Sequence, residues 1–145
     1  MPDLKLLALD EQDLEVISAY TQDAIIRVAD MGFARSERRF VALMNRYVWE
    51  EGDSRTKGQR RRSAIHFEHV LGVTSSGINL TARDGVLDLL SITFASEDSP
   101  SGTIQLRFAG GGTIQLMVEC LELRLNDLGA SWAARAVPGH PLESD

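Results

Sequence analysis

The pentapeptide Gly-Thr-Ile-Gln-Leu stands twice in this chain, at 102–106 and at 112–116, and Gly110-Gly111-Gly112 leads into the second copy. At period two, Ile104, Leu106 and Phe108 share one face, and Ile114, Leu116 and Val118 share one face of the next run. Gln105, Arg107, Gln115 and Glu119 point the other way. Alternation on both sides of a glycine-rich turn predicts a β-hairpin, with glycine supplying the positive φ of a tight turn. The surrounding pattern is not repeated, so the two copies read as paired strands meeting similar local demands. After the hairpin, Leu121, Leu125, Leu128 and Trp132 follow i, i+4, i+7, i+11. That stripe predicts an amphipathic helix beginning near Cys120, with Gly129 where a C-cap is expected.

The same reading assigns the rest of the chain. Leu4, Leu6 and Ala8 alternate with their neighbours in a short strand. Asp10 is placed as an N-cap with Asp13 at N3, opening a helix over about 11–21 whose inward stripe is Leu14, Ile17 and Thr21. A second hairpin is expected from 24–33 and 38–49, where Phe40, Ala42, Met44 and Arg46 take one face. Residues 63–75 read as a strand with a bulge near His69, where the apolar phase shifts. Residues 77–85 form a polar connection, 86–94 another strand, and Glu97-Asp-Ser-Pro-Ser-Gly102 a turn.

The class that follows is α+β: a short N-terminal helix, six longer strands in antiparallel meander order, and a C-terminal capping helix. Two geometries satisfy it. Either the sheet bends into a small, partly open barrel plugged by the last helix, or one twisted sheet carries helices on one face. On residues 102–129, a final strand leading into a helix, the first geometry resembles the pleckstrin-homology superfold. A single domain is expected over 1–132, followed by a loose tail over 133–145 that holds two prolines and no periodicity.

At 145 residues the chain is long enough for one core without metal or disulfide support. Its apolar runs are far shorter than the roughly 20 residues of a membrane span. The first ten residues lack the basic and apolar regions of a signal peptide, and one cysteine, Cys120, fits a reducing compartment. A cytoplasmic protein is expected. The net charge of −6 is unevenly spread: 1–26 carries one base and six acids, 27–62 ten bases and five acids, and 63–145 four bases and ten acids. An acidic whole disfavours general nucleic-acid binding, but the basic middle suits an acidic protein partner, an anionic ligand or the chain's own acidic segments, within the monomer or across a homodimer.

Residues 50–62 hold no large apolar side chain and include Arg55, Lys57, Arg60, Arg61 and Arg62. A charge run of this kind is commonly a solvated loop; the functional reading is partner or anion binding. Tyr47 and Trp49 beside it close the core or serve as contacts. His66-Phe-Glu-His69 is the only cluster of metal-ligand residue types. In a regular strand His66 and Glu68 share a face while His69 points away, so no metal site is assigned. Cys120 at a helix start would have a lowered pKa if reactive, but no histidine is near it in sequence and a packed role is expected. Gly110–Gly112 lies between strands and lacks the Lys-Ser or Lys-Thr of a phosphate loop. No cofactor is expected.

Five runs carry a family resemblance: Ala8-Leu-Asp-Glu-Gln-Asp-Leu-Glu-Val-Ile-Ser-Ala19, Arg38-Arg-Phe40, Arg61-Arg-Ser-Ala-Ile-His-Phe-Glu68, Phe108-Ala-Gly-Gly-Gly112 and Val118-Glu-Cys-Leu-Glu122. In order, from about Leu4 to Trp132, they resemble an uncharacterised bacterial family, domain of unknown function 2948. The resemblance implies a small soluble bacterial protein and supplies no activity or catalytic residue. The residues lead to a non-enzymatic binding or adaptor module. The alternative is a small-molecule or anion-binding protein or enzyme, with Arg61, His66 and Glu68 lining a cleft near the basic loop.

Overall fold

Phe40, Ala42, Met44 and Arg46 are buried while the residues between them are half-buried, the rhythm of a strand with one face on a core. That rhythm, repeated, builds the molecule. The computed structural model describes residues 3–48 and 60–128. In chain order the elements are β1 (Lys5–Ala8), α1 (Glu11–Tyr20), β2 (Ile25–Arg27), β3 (Met31–Ala34), β4 (Arg39–Tyr47), β5 (Arg60–Phe67), β6 (Val70–Ser76), β7 (Val86–Ser96), β8 (Gly102–Phe108), β9 (Thr113–Val118) and β10 (Leu123–Asp127). Single 3-10 turns at Val28–Asp30 and Arg35–Glu37 link β2, β3 and β4. Gly129, Trp132, the tail over 133–145, Trp49, Arg55 and Lys57 lie outside the described residues.

The strands form one antiparallel sheet in the order β1-β10-β5-β4-β2-β7-β8-β9-β6, with β3 also paired to β4. The sheet is not closed into a barrel, and with its helix it belongs to the α+β class. Asp10 caps α1 as expected, its Oδ1 accepting from the Asp13 amide at 2.8 Å. The helix packs against both β1 and β7, burying Leu14 and Ile17. No helix among the described residues is long and apolar enough to cross a membrane.

The opening hairpin is β8–β9, with Leu106 opposite Ile114 and Gly110 and Gly111 at φ of 90° and 98°. The two glycines that begin the repeated pentapeptide serve a different purpose, since neither has a left-handed φ. A Cβ on Gly102 would lie 2.7 Å from the Phe94 ring, and one on Gly112 would lie 2.7 Å from Ile78 Cγ1.

Four expectations need correction. Residues 123–127 are strand, not the body of a C-terminal helix. Leu121, Leu123 and Leu125 are buried beside exposed Arg124, whereas Leu128 is 44% exposed and leaves the stripe. Leucines at successive odd positions satisfy both periods, and pairing with β1 on one side and β5 on the other selects the strand. The likeness to the pleckstrin-homology superfold rested on that helix and loses its main support. Second, the order is no meander: β1 pairs β10, and β2 pairs β7. Third, Arg60, Arg61 and Arg62 belong to β5 and pair with Tyr47, Arg46 and Asn45. Fourth, the expected strand over 63–75 is two strands. His69, at φ 59°, breaks it, and β6 leaves β4 to pair with β9.

Candidate functional site

Strand alternation splits the basic segment between two faces. Arg61 turns inward opposite Arg46, while Arg60 and Arg62 lie on the other face opposite Tyr47 and Asn45. Arg46 and Asp127 are wholly buried, their bidentate bonds running from Nε to Oδ1 at 3.2 Å and from Nη2 to Oδ2 at 3.0 Å. Ser63 Oγ donates to Asp127 Oδ1 at 2.6 Å and the Leu4 amide to Oδ2 at 3.0 Å. Arg61 reaches Asp3 at 2.7 Å and Asp127 at 3.8 Å. Burial pushes the Asp127 carboxyl up, but hydrogen bonds from Arg46, Ser63 and Leu4 outweigh it and hold the group below its ordinary value.

On the other face, Arg62 donates to Asn45 Oδ1 at 3.3 Å and to Asp30 at 3.4 Å. Arg60 donates to the carbonyls of Asp23 and Asn45 at 2.9 and 3.0 Å, and its guanidinium lies 5.7 Å from the Tyr47 ring centroid. The described arginines of the basic segment therefore engage oxygens of their own chain. Burial, then the Asp23 hydrogen bond and charge, push the Asp88 carboxyl up against the opposing pull of Arg60. Asp88 Oδ1 is buried with no hydrogen-bond partner among the described residues.

The remaining sequence candidates sit elsewhere. His66 lies opposite Val41 and Arg124 in the sheet. Glu68 accepts a two-pronged bond from Arg39 Nε at 2.9 and 3.1 Å, and His69 Nε2 lies 2.9 Å from Glu122. Arg61, His66 and Glu68 line neither of two hollows among the described residues, one between β3 and β6 and one between α1 and β7. Among the described residues, no three His, Cys, Asp or Glu side chains are grouped to hold a metal ion. Cys120 is half-buried, and burial, then Glu122 and Glu119, push its thiol pKa up, away from the thiolate.

The concave feature lies between β3 and β6. Among the described residues β3 pairs only with β4, and β6 only with β9, so within that set each has an open edge. At one end β6 is tied to the turn that follows β3, where the Val70 amide donates to the Arg38 carbonyl at 2.9 Å. Beyond that tie, Met31, Gly32 and Phe33 face Val73, Thr74 and Ser75 across a cavity of about 220 Å³. Phe40, Ile114 and Val28 line it further, with Leu80 and Arg83. The 77–85 connection is held in place by two backbone bonds, Val28 N to Gly85 O at 2.9 Å and Ala29 N to Arg83 O at 3.0 Å. Arg83 itself is exposed and has no ion pair among the described residues. A second hollow of about 300 Å³ lies between α1 and β7, lined by Glu15, Ser18, Gln22 and Leu90 among others.

Sequence reasoning passed over the cleft because its walls are ordinary strand residues; the apolar Ile78 and Leu80 inside a polar connection were the one local sign of a packed loop. The five runs that carry the resemblance fall on α1, β4, β5, the β8–β9 turn and the link from β9 to β10. No curated protein and no solved structure matches the chain. The family model described as "Protein of unknown function (DUF2948)" matches residues 4–140, and the chain belongs to that family.

Proposed function

We propose that the protein is a non-enzymatic binding module and that the β3–β6 cleft holds a ligand bearing one apolar and one acidic group. One observation carries this reading: an apolar cavity between two open strand edges, with an exposed arginine fixed at its mouth. Apolar walls favour an apolar group by roughly 25 cal/mol per Å² removed from water. Arg83 supplies a planar fork for a carboxylate. The anionic partner expected from the charge distribution is retained, and the cleft is favoured over Arg60, Arg61 and Arg62 because those side chains already serve Asp23, Asp3, Asp30 and Asp127. The single half-buried Cys120 supports a cytoplasmic setting.

Isotope-edited NMR with phenylacetate and with benzylamine as the cationic control tests the reading. Phenylacetate should shift the amides of Gly32, Val73, Thr74 and Arg83, with Arg83→Gln weakening the effect and benzylamine producing none. Shifts centred on Arg60, Arg61 and Arg62 would return the site to the basic segment. No saturable shift at either place would end the ligand-binding reading of the cleft.

A further inference from the structure

We infer that the natural occupant of the cleft is an extended, acidic peptide of a partner protein, added as a strand along the open edges of β6 and β3. This rests on the cleft being the ligand site and names what fills it. Volume is the first argument. About 220 Å³ exceeds the roughly 150 Å³ cavity that admits a benzene ring, so one phenyl or leucyl side chain fits. It falls short of the roughly 300–1,000 Å³ of pockets that enclose a whole small ligand. The cavity takes one side chain, and the rest of the ligand must lie along the walls.

Those walls are the second argument. They are strand edges, and among the described residues the outward N–H and C=O groups of β6 beyond Val70 have no ladder partner on that side. Such an edge offers main-chain hydrogen bonds to an extended chain, while a pocket beside it reads one side chain. The bond between Val70 and Arg38 closes that end, and the cleft lies beyond it. Charge is the third argument. Arg83 stands at the mouth, and a carboxylate on the incoming strand completes its fork. Gly32, whose φ is not left-handed, has nothing within 4 Å of a built Cβ. Gly32 thus adds no side-chain bulk to the lining of the cavity.

The test uses the full chain and capped pentapeptides holding one phenylalanine and one aspartate at every spacing. The best peptide is compared with its backbone N-methylated form and with phenylacetate. Strand addition predicts saturable binding and slowed hydrogen exchange across residues 71–76. N-methylation that removes two main-chain donors should weaken binding at least about tenfold, since each lost hydrogen bond is worth about 1 kcal/mol and 1.4 kcal/mol is tenfold. Arg83→Glu should weaken it comparably. Gly32→Val, which keeps the φ/ψ and strand preference of β3, should abolish it while leaving the thermal midpoint near that of the parent. Equal affinity for the N-methylated peptide or for phenylacetate would overturn strand addition and leave the cleft as a small-ligand site. Binding of neither peptide nor phenylacetate would overturn both. A concentration-dependent dimer that Gly32→Val returns to monomer would overturn the peptide by making a second copy the occupant.

Discussion

Arg46 carries a full positive charge into a region with no solvent contact, where Asp127 meets it through two hydrogen bonds. Breaking a buried pair by removing one partner costs about 3–5 kcal/mol, because the other charge is left uncompensated. Arg46→Met should therefore lower the urea unfolding free energy by about that amount; a loss under about 1 kcal/mol would mean that Ser63 and the Leu4 amide suffice for Asp127. The alternation of β4 already puts Arg46 on the face of Phe40, Ala42 and Met44. Its neutralising partner is 81 positions away, beyond any local pattern. Asp88 presents the opposite electrostatic case. Its carboxyl titrates above the unfolded value, so the native state binds the extra proton, and stability falls as pH rises from that unfolded value through the native one. Asp88→Asn removes the penalty. The variant should be more stable than the parent at pH 7, with the advantage shrinking as pH approaches 4; an equal difference at both pH values would contradict a raised Asp88 pKa.

At the level of elements, hairpins were the most legible parts and the last element the least. In β8 and β9 alternate positions are uniformly buried, and the turn glycines have the φ values that the type of residue implies. The run Leu121-Glu-Leu-Arg-Leu-Asn-Asp127 supports both a two-residue and a 3.6-residue period, and only a paired neighbour on each side decides between them. β5 shows the same limit. Arginines at its start have the composition of a loop, yet each finds an oxygen or ring to meet once β4 lies alongside. The repeated pentapeptide also changes meaning at this scale. Gly102 sits where strand β8 passes under Phe94 and the Ala95 carbonyl, a demand for absent bulk rather than for unusual φ. Gly102→Ala should cost about 1–3 kcal/mol through overpacking, while Gly32→Ala, with open space around it, should stay within about 0.5 kcal/mol of the parent. Chemical denaturation of the two variants checks the contrast, and equal effects would refute the steric account of Gly102.

Across the whole molecule, the site follows from how the sheet is ordered. The chain leaves the β4–β5 half at His69, enters the other half as β6, and so leaves two strand edges facing each other. α1 packs against β1 and β7 and does not cover that gap. The loop over 77–85 brings Arg83 to the mouth because two backbone bonds pin it to the turn at Val28–Asp30. None of these relations is written in the spacing of β3 or β6. By itself the sequence determined the antiparallel character, the capped helix, the hairpins and the inward face of most strands. A side chain's direction follows from local backbone geometry, which neighbouring residues set. Tertiary structure alone decided that Leu123–Asp127 is a strand, that the arginines of β5 are paired, and that an apolar cleft stands open between β3 and β6. Each depends on which edge meets which, and edges are matched by burial and hydrogen bonding between segments far apart in the chain.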